Sequence, residues 1–203
     1  MTLENDITQI RSMLEAFYNP EDAWGVALTK PSGKGVPTEM QVGPVNHEGW
    51  VQWKLLKPKI TLNDLTKLEA QFDIKFPDYF AAFLLAACHL FDQVNSLKYD
   101  QLIFMPDVPS HEPLGPLQSI LFNWQPLISA SYIPFAEWGD GWGPMCFDTE
   151  HWNNRDCPIV WMEHEKLAPL DEAACRNRKI IDSFAQPLYQ NTREFIQDVF
   201  QPL

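Results

Sequence analysis

The sequence lacks the long apolar run that a membrane helix requires; no stretch approaches about 18 uninterrupted apolar residues. Its first residues, MTLENDITQIRSMLEAF, have no basic start leading into an apolar segment, so no signal peptide is expected. Positive charge is scarce as well. Fifteen lysines and arginines face 27 aspartates and glutamates, giving a formal net charge of −12. Nucleic acid and anionic lipid are recognised by clustered cations, so neither is an expected partner. The natural electrostatic complement is a basic protein. The four cysteines, Cys88, Cys146, Cys157 and Cys175, include no C-x-x-C pair. They read as reduced core thiols of a cytoplasmic protein.

Catalytic signatures are missing too. There is no G-x-S-x-G elbow, no H-E-x-x-H, no EF-hand spacing, no Cys/His quartet and no Gly-Lys-Ser/Thr phosphate loop. No cofactor and no metal is expected. What the chain does have is core material. It is 45% hydrophobic and 13% aromatic over 203 residues, enough for one compact domain. Nine glycines against 17 prolines predict stiff connections.

Hydrophobic spacing predicts a first helix over residues 5–18, capped by Asn5 or Asp6, with Ile7, Ile10, Leu14 and Phe17 on one face. Short strands are expected at "WGVAL", "MQVG" and "GWVQWKLL". Thr61 and Asp64 form a capping box for a helix carrying Leu65, Leu68 and Phe72. The run "DYFAAFLLAACHLF" is apolar nearly all round and reads as a buried helix holding His89. That histidine is expected to be a core residue with a local hydrogen bond. A strand over 102–108 and a helix over 117–124 follow, then strands at 131–138, 143–148 and 158–163. Helices over 171–184 and 191–200 close the chain, the second with Asn191 and Glu194 as a capping box. This order predicts an α+β fold, a central, mainly antiparallel twisted sheet flanked by N-terminal and C-terminal helices.

"EWGDGWG" reads as a hairpin, not a phosphate loop, because a strand follows it where a helix would be needed. Asp140-Gly141 suits a two-residue turn. That register sets Trp142 against Gly139 and Trp138 against Gly143, each indole covering a glycine. Beyond it, Asp148, Glu150, His151 and Asp156 gather oxygen and imidazole donors without a metal-site spacing, so a solvated loop is expected. Tryptophan beside acids at a loop end is also the composition of a protein-contact anchor. Trp138, Asp140, Trp142, Glu150, His151 and Asp156 are therefore the candidate partner-binding residues.

The ordered set of segments resembles the SUKH superfamily, the Smi/Knr-type fold. Leu65, Leu68, Glu69, Phe76, Pro77, Phe80, Phe83 and Leu84 match its paired-helix motif. Ile133–Ala136, Gly139-Asp140 and Cys146–Asp148 match its hairpin, Pro158–Glu165 its next strand, and Ser183-Phe184 with Phe195-Ile196 its tail. The resemblance implies a domain over residues 48–203, preceded by an extension over 1–47, and a protein that binds rather than catalyses. Bacterial members look like immunity proteins that bind and neutralise a cognate polymorphic or contact-delivered toxin, often a nuclease. Two other readings stay open: a regulatory adaptor for a cellular partner, and a metal-dependent hydrolase using Asp148, Glu150 and His151.

Overall fold

The computed structural model describes residues 2–18, 29–32, 35–139 and 141–201. Helix α1 (Leu3–Phe17) is capped by Thr2, whose hydroxyl accepts from the Asn5 amide at 3.4 Å. The cap therefore precedes the expected Asn5 or Asp6. Asp6 is buried instead and pairs with Arg193 at 2.8 Å. Strands β1 (Thr29–Pro31), β2 (Gln41–Val42) and β3 (Trp50–Trp53) form a small antiparallel sheet in the order β1-β3-β2. The last two match "MQVG" and "GWVQWKLL"; the expected strand "WGVAL" lies outside the described residues.

Helix α2 (Leu62–Phe72) has the predicted box in full: Thr61 accepts from the Asp64 amide, and Asp64 accepts from the Thr61 amide at 3.0 Å. It ends where Asp73 turns left-handed, at φ 53°. The buried Glu69 then fixes the corner, accepting from the Phe76 amide at 3.0 Å and pairing with Lys75 at 2.8 Å. Helix α3 (Asp78–Leu84) is shorter than the apolar run that begins it. Cys88 exchanges backbone hydrogen bonds with Leu56, and His89 with Val108, so the second half of the run is extended. A run apolar on every side fits a buried helix and a buried strand equally, and here it supplies both. His89 is fully buried, as expected, but on the extended part; its Nδ1 accepts from the Phe91 amide at 3.3 Å.

The main sheet has six antiparallel strands in chain order: β4 (Gln93–Ser96), β5 (Gln101–Phe104), β6 (Tyr132–Trp138), β7 (Pro144–Asp148), β8 (Ile159–Trp161) and β9 (Gln186–Tyr189). Helices α4 (Gly115–Asn123) and α5 (Gln125–Ile128) connect β5 to β6. Short turns of helix, α6 (His164–Leu167), α7 (Glu172–Cys175) and α8 (Arg178–Ile181), connect β8 to β9, and α9 (Thr192–Val199) closes the chain. The fold is α+β. The single helix expected over 171–184 is split, because Asp171 caps α7 and Asn177 caps α8. Strand β9 lies in the gap between the two expected helices, where no element was expected; it contains Pro187, and at a sheet edge proline loses no ladder bond.

Phe80 of α3 sits on the stacked pair Phe135 and Phe147, whose rings are 4.1 Å apart. That contact centres the larger core. A smaller one gathers Tyr132, Cys146, Val160, Met162, Leu167 and Ile181. Cys88, Cys146 and Cys157 are buried free thiols, and burial pushes all three up from the ordinary thiol range. Among the described residues, no helix is long and apolar enough to cross a membrane.

The hairpin joining β6 to β7 keeps the predicted register. The Trp138 amide donates to the Gly143 carbonyl at 2.9 Å, and Gly139 and Gly141 both have positive φ, 64° and 72°. Trp142 covers Gly139 as expected, for a Cβ there would lie 2.8 Å from the indole. Gly143 differs. It is covered by backbone rather than by Trp138, and a Cβ on it would lie 1.9 Å from the Met162 carbonyl oxygen. The His164 amide donates to the Trp142 carbonyl at 2.7 Å across this approach. Gly143→Ala should therefore cost at least about 3 kcal/mol by forcing β7 from β8. Gly141→Ala, in open space, should cost about 1 kcal/mol for its left-handed backbone. Denaturant unfolding of the two variants checks the ordering.

Candidate functional site

The candidate binding residues fall into two groups at opposite ends of β7. Its five residues span about 16 Å, with the hairpin at one end and the loop 149–156 at the other. At the hairpin end Trp142 is 55% exposed, its indole lying over Gly139. Trp138 is buried, packed edge-on to Tyr99 at 5.5 Å and tilted against Trp161 at 6.1 Å. It holds the sheet and presents no surface. Asp140 lies outside the described residues.

At the other end the acids are built into the scaffold. Asp148 is nearly buried and meets Arg178 of α8 through both oxygens, at 2.8 and 3.0 Å, while Nδ1 of His151 stands 2.8 Å from it. Burial alone would raise the Asp148 carboxyl, but Arg178 and His151 hold it below the usual carboxylate range. Arg178 also reaches Glu150 at 3.3 Å, Asp182 at 2.5 Å, and the face of the Tyr132 ring at 4.0 Å. The Tyr132 hydroxyl donates to Asp182 at 2.8 Å. Asp156 accepts from the Thr192 amide and hydroxyl at 3.1 and 2.6 Å, tying the loop to the start of α9. The loop is thus ordered rather than merely solvated. Asn154 and Arg155 form a left-handed turn, and the Arg155 carbonyl accepts from the Asp78 amide at 3.1 Å. Asp148 and Glu150 face a guanidinium where a hydrolytic metal would need to sit, and His151 bonds to Asp148. Among the described residues no His, Cys, Asp and Glu gather as metal ligands.

A third feature escaped sequence reading. A groove of about 290 Å³ runs between the end of β5 and the start of α4. Asp92, Asp107 and Glu137 open onto it, and its walls are otherwise apolar. These acids are far apart in sequence and sit in no motif, so only the fold brings them together. Burial drives the Asp107 carboxyl up to about 7, with Lys30 opposing that rise and Asp92 adding to it.

A family model, the SMI1 / KNR4 family (SUKH-1), matches residues 59–190. The chain belongs to this family. No curated protein matches it in sequence. The SUKH-1 segment begins just before α2 and ends just after β9, so it takes in the whole six-stranded sheet. Helix α1, the three-stranded sheet and α9 lie outside it, yet α1 and α9 pack on α3 inside it. Ile10 and Leu14 belong to the same continuous core as Phe80. The hairpin, the Asp148 network and the acidic groove all fall within the SUKH-1 segment.

Two outcomes follow for the SUKH-1 scaffold. Arg178→Ala leaves the buried Asp148 with only the exposed His151 beside it, and should destabilise the protein by about 3 kcal/mol, read from denaturant unfolding. Asp107 acts in the opposite sense. Its folded value exceeds that of the unfolded chain, so the protein holds more protons folded than unfolded between about pH 4 and pH 7. Stability linked to Asp107 is therefore complete below about pH 4 and lost as pH rises to about 7. Asp107→Asn should match the parent near pH 4 and exceed it by a few kcal/mol near pH 8. Melting curves of both proteins across that range check it.

Proposed function

We propose that this protein is an immunity-type inhibitor that binds a cognate toxin and neutralises it by occupying its surface. The observation that carries the reading is membership of the SUKH-1 family over residues 59–190. Two physical features support it. The formal charge of −12 suits a basic partner such as a nuclease, whose cleft must attract phosphate. The polar clusters at the loop end are engaged in holding helices to the sheet, and at the hairpin end Trp142 is 55% exposed against 37% for Trp152 in the loop. Trp142 is exposed on a backbone fixed by the Gly143 approach, a rigid presentation that lowers the entropy lost on binding. No catalytic step is part of this reading, and the compartment it requires is the cytoplasm.

Co-expression with the toxin encoded beside it should restore growth, and the two proteins should co-purify. Trp142→Ala should weaken that complex by more than about 2 kcal/mol while leaving the melting temperature unchanged. Calorimetric titration and thermal melting measure the two quantities. Toxin that neither binds nor is neutralised would overturn the reading. A variant that loses melting temperature but keeps affinity would assign Trp142 to the fold.

A further inference from the structure

We propose that the groove between β5 and α4 is a socket for a single arginine or lysine side chain carried by a protein partner. The proposal deepens the protein-binding reading and rests on it. The walls are Phe104, Met105 and Pro106 on one side and Pro116 and Ile120 on the other. Such walls suit the aliphatic stem shared by lysine and arginine. Asp92, Asp107 and Glu137 supply negative charge; Lys30 pairs with Asp92 and acts on Asp107 only through space, and among the described residues neither Asp107 nor Glu137 has an ion-pair partner. Two carboxyl groups therefore remain for an incoming cation. An anionic occupant would be repelled, and a neutral apolar one would bury these groups without donors.

Asp107 gives the second observation. Its Oδ1 is buried and meets no hydrogen-bond donor among the described residues. A buried acceptor without a donor costs free energy, and a guanidinium or ammonium head supplies the missing donor along with the opposite charge. A cation there would also lower the Asp107 carboxyl from about 7 into the ordinary range. Position supports the same occupant. Glu137 pairs with Phe104 on one side and Pro144 on the other, so the groove opens at the hairpin end of the sheet. Trp142 stands two residues beyond Pro144 at that end. A basic residue and a neighbouring apolar surface of one partner segment can thus reach the socket and the indole together.

The test uses the full-length protein, isotopically labelled for NMR, and a small probe. Acetyl-arginine N-methylamide is titrated at physiological ionic strength beside its uncharged isostere, acetyl-citrulline N-methylamide. The arginine probe should give saturable shifts at Phe104, Met105, Asp107, Ile120 and Glu137 and should lower the Asp107 carboxyl titration midpoint. Asp107→Asn and Glu137→Gln should each weaken it about tenfold or more, as expected for a lost charged hydrogen bond. Glu163→Gln, on an acid outside the groove, should leave it unchanged. Equal response to citrulline, shifts scattered over the acidic surface, or undiminished binding by both groove variants would overturn the proposal. A toxin that binds while the groove stays silent overturns the socket and leaves the immunity reading standing. A groove that takes arginine while no toxin binds supports the socket and overturns the immunity reading.

Discussion

The six-stranded sheet curls until its two edges meet, and most of the architecture follows from that closure. The Tyr189 hydroxyl on β9 lies 2.9 Å from the Ser96 hydroxyl on β4 and 2.8 Å from the Asp198 carboxylate of α9. Ser96 donates to the same carboxylate at 2.6 Å, and Lys98 donates to the Leu188 carbonyl at 3.1 Å. An open sheet would leave β4 and β9 as exposed edges able to pair with another chain. Here side chains and α9 cover them. The curl also explains why Phe195 of α9 reaches Phe135, at 5.5 Å, in the centre of the sheet. A flat sheet would keep the last helix away from that core.

Closure sorts the chemistry of the two sheet ends. At the loop end, α8 must be held against the smaller core, which has few apolar residues to do it. The Arg178 guanidinium does this work, stacked on Tyr132 and shared among Asp148, Glu150 and Asp182. A carboxylate paired at such range loses its freedom to act as base or metal ligand. At the hairpin end the constraint is steric. Gly143 lets the β7 backbone approach Met162, and that approach fixes the turn from which Trp142 projects. At one end the buried acids hold the molecule together, while at the other the exposed Trp142 takes part in no ion pair or hydrogen-bonded network of that kind.

Legibility in the sequence tracked the range of the interaction concerned. The Thr61–Asp64 capping box, the hairpin register and the start of α9 depend on residues within five positions of each other, and all three were readable. The last was partly so: Asn191 accepts from the Glu194 amide, but Glu194 reaches back to Gln190 rather than to Asn191. The run 78–91 failed because burial on every side erases the periodicity that separates helix from strand. Strand β9 was missed because its four residues carry too short a pattern, and their pairing with β8 is visible only in the fold. The two-ended layout of the candidate residues was hidden for a plainer reason. Trp142 and Glu150 are eight apart in number, which looks close, but β7 runs straight between them.

The charge of the chain takes on a different meaning once it is placed. A net charge of −12 spread evenly over a surface gives solubility and a general pull on basic proteins, both weakened by salt. It does not choose an orientation. Orientation requires charge held in low-dielectric surroundings, where an unmet carboxylate is costly and a correctly placed cation relieves the cost. Many of the acids here are exposed or paired with a neighbouring base. Asp107 departs from that pattern, since its Oδ1 is buried without a donor beside apolar walls. Long-range attraction and local selection are thus separable in this fold, the first supplied by the whole acidic surface and the second by one groove beside an exposed indole.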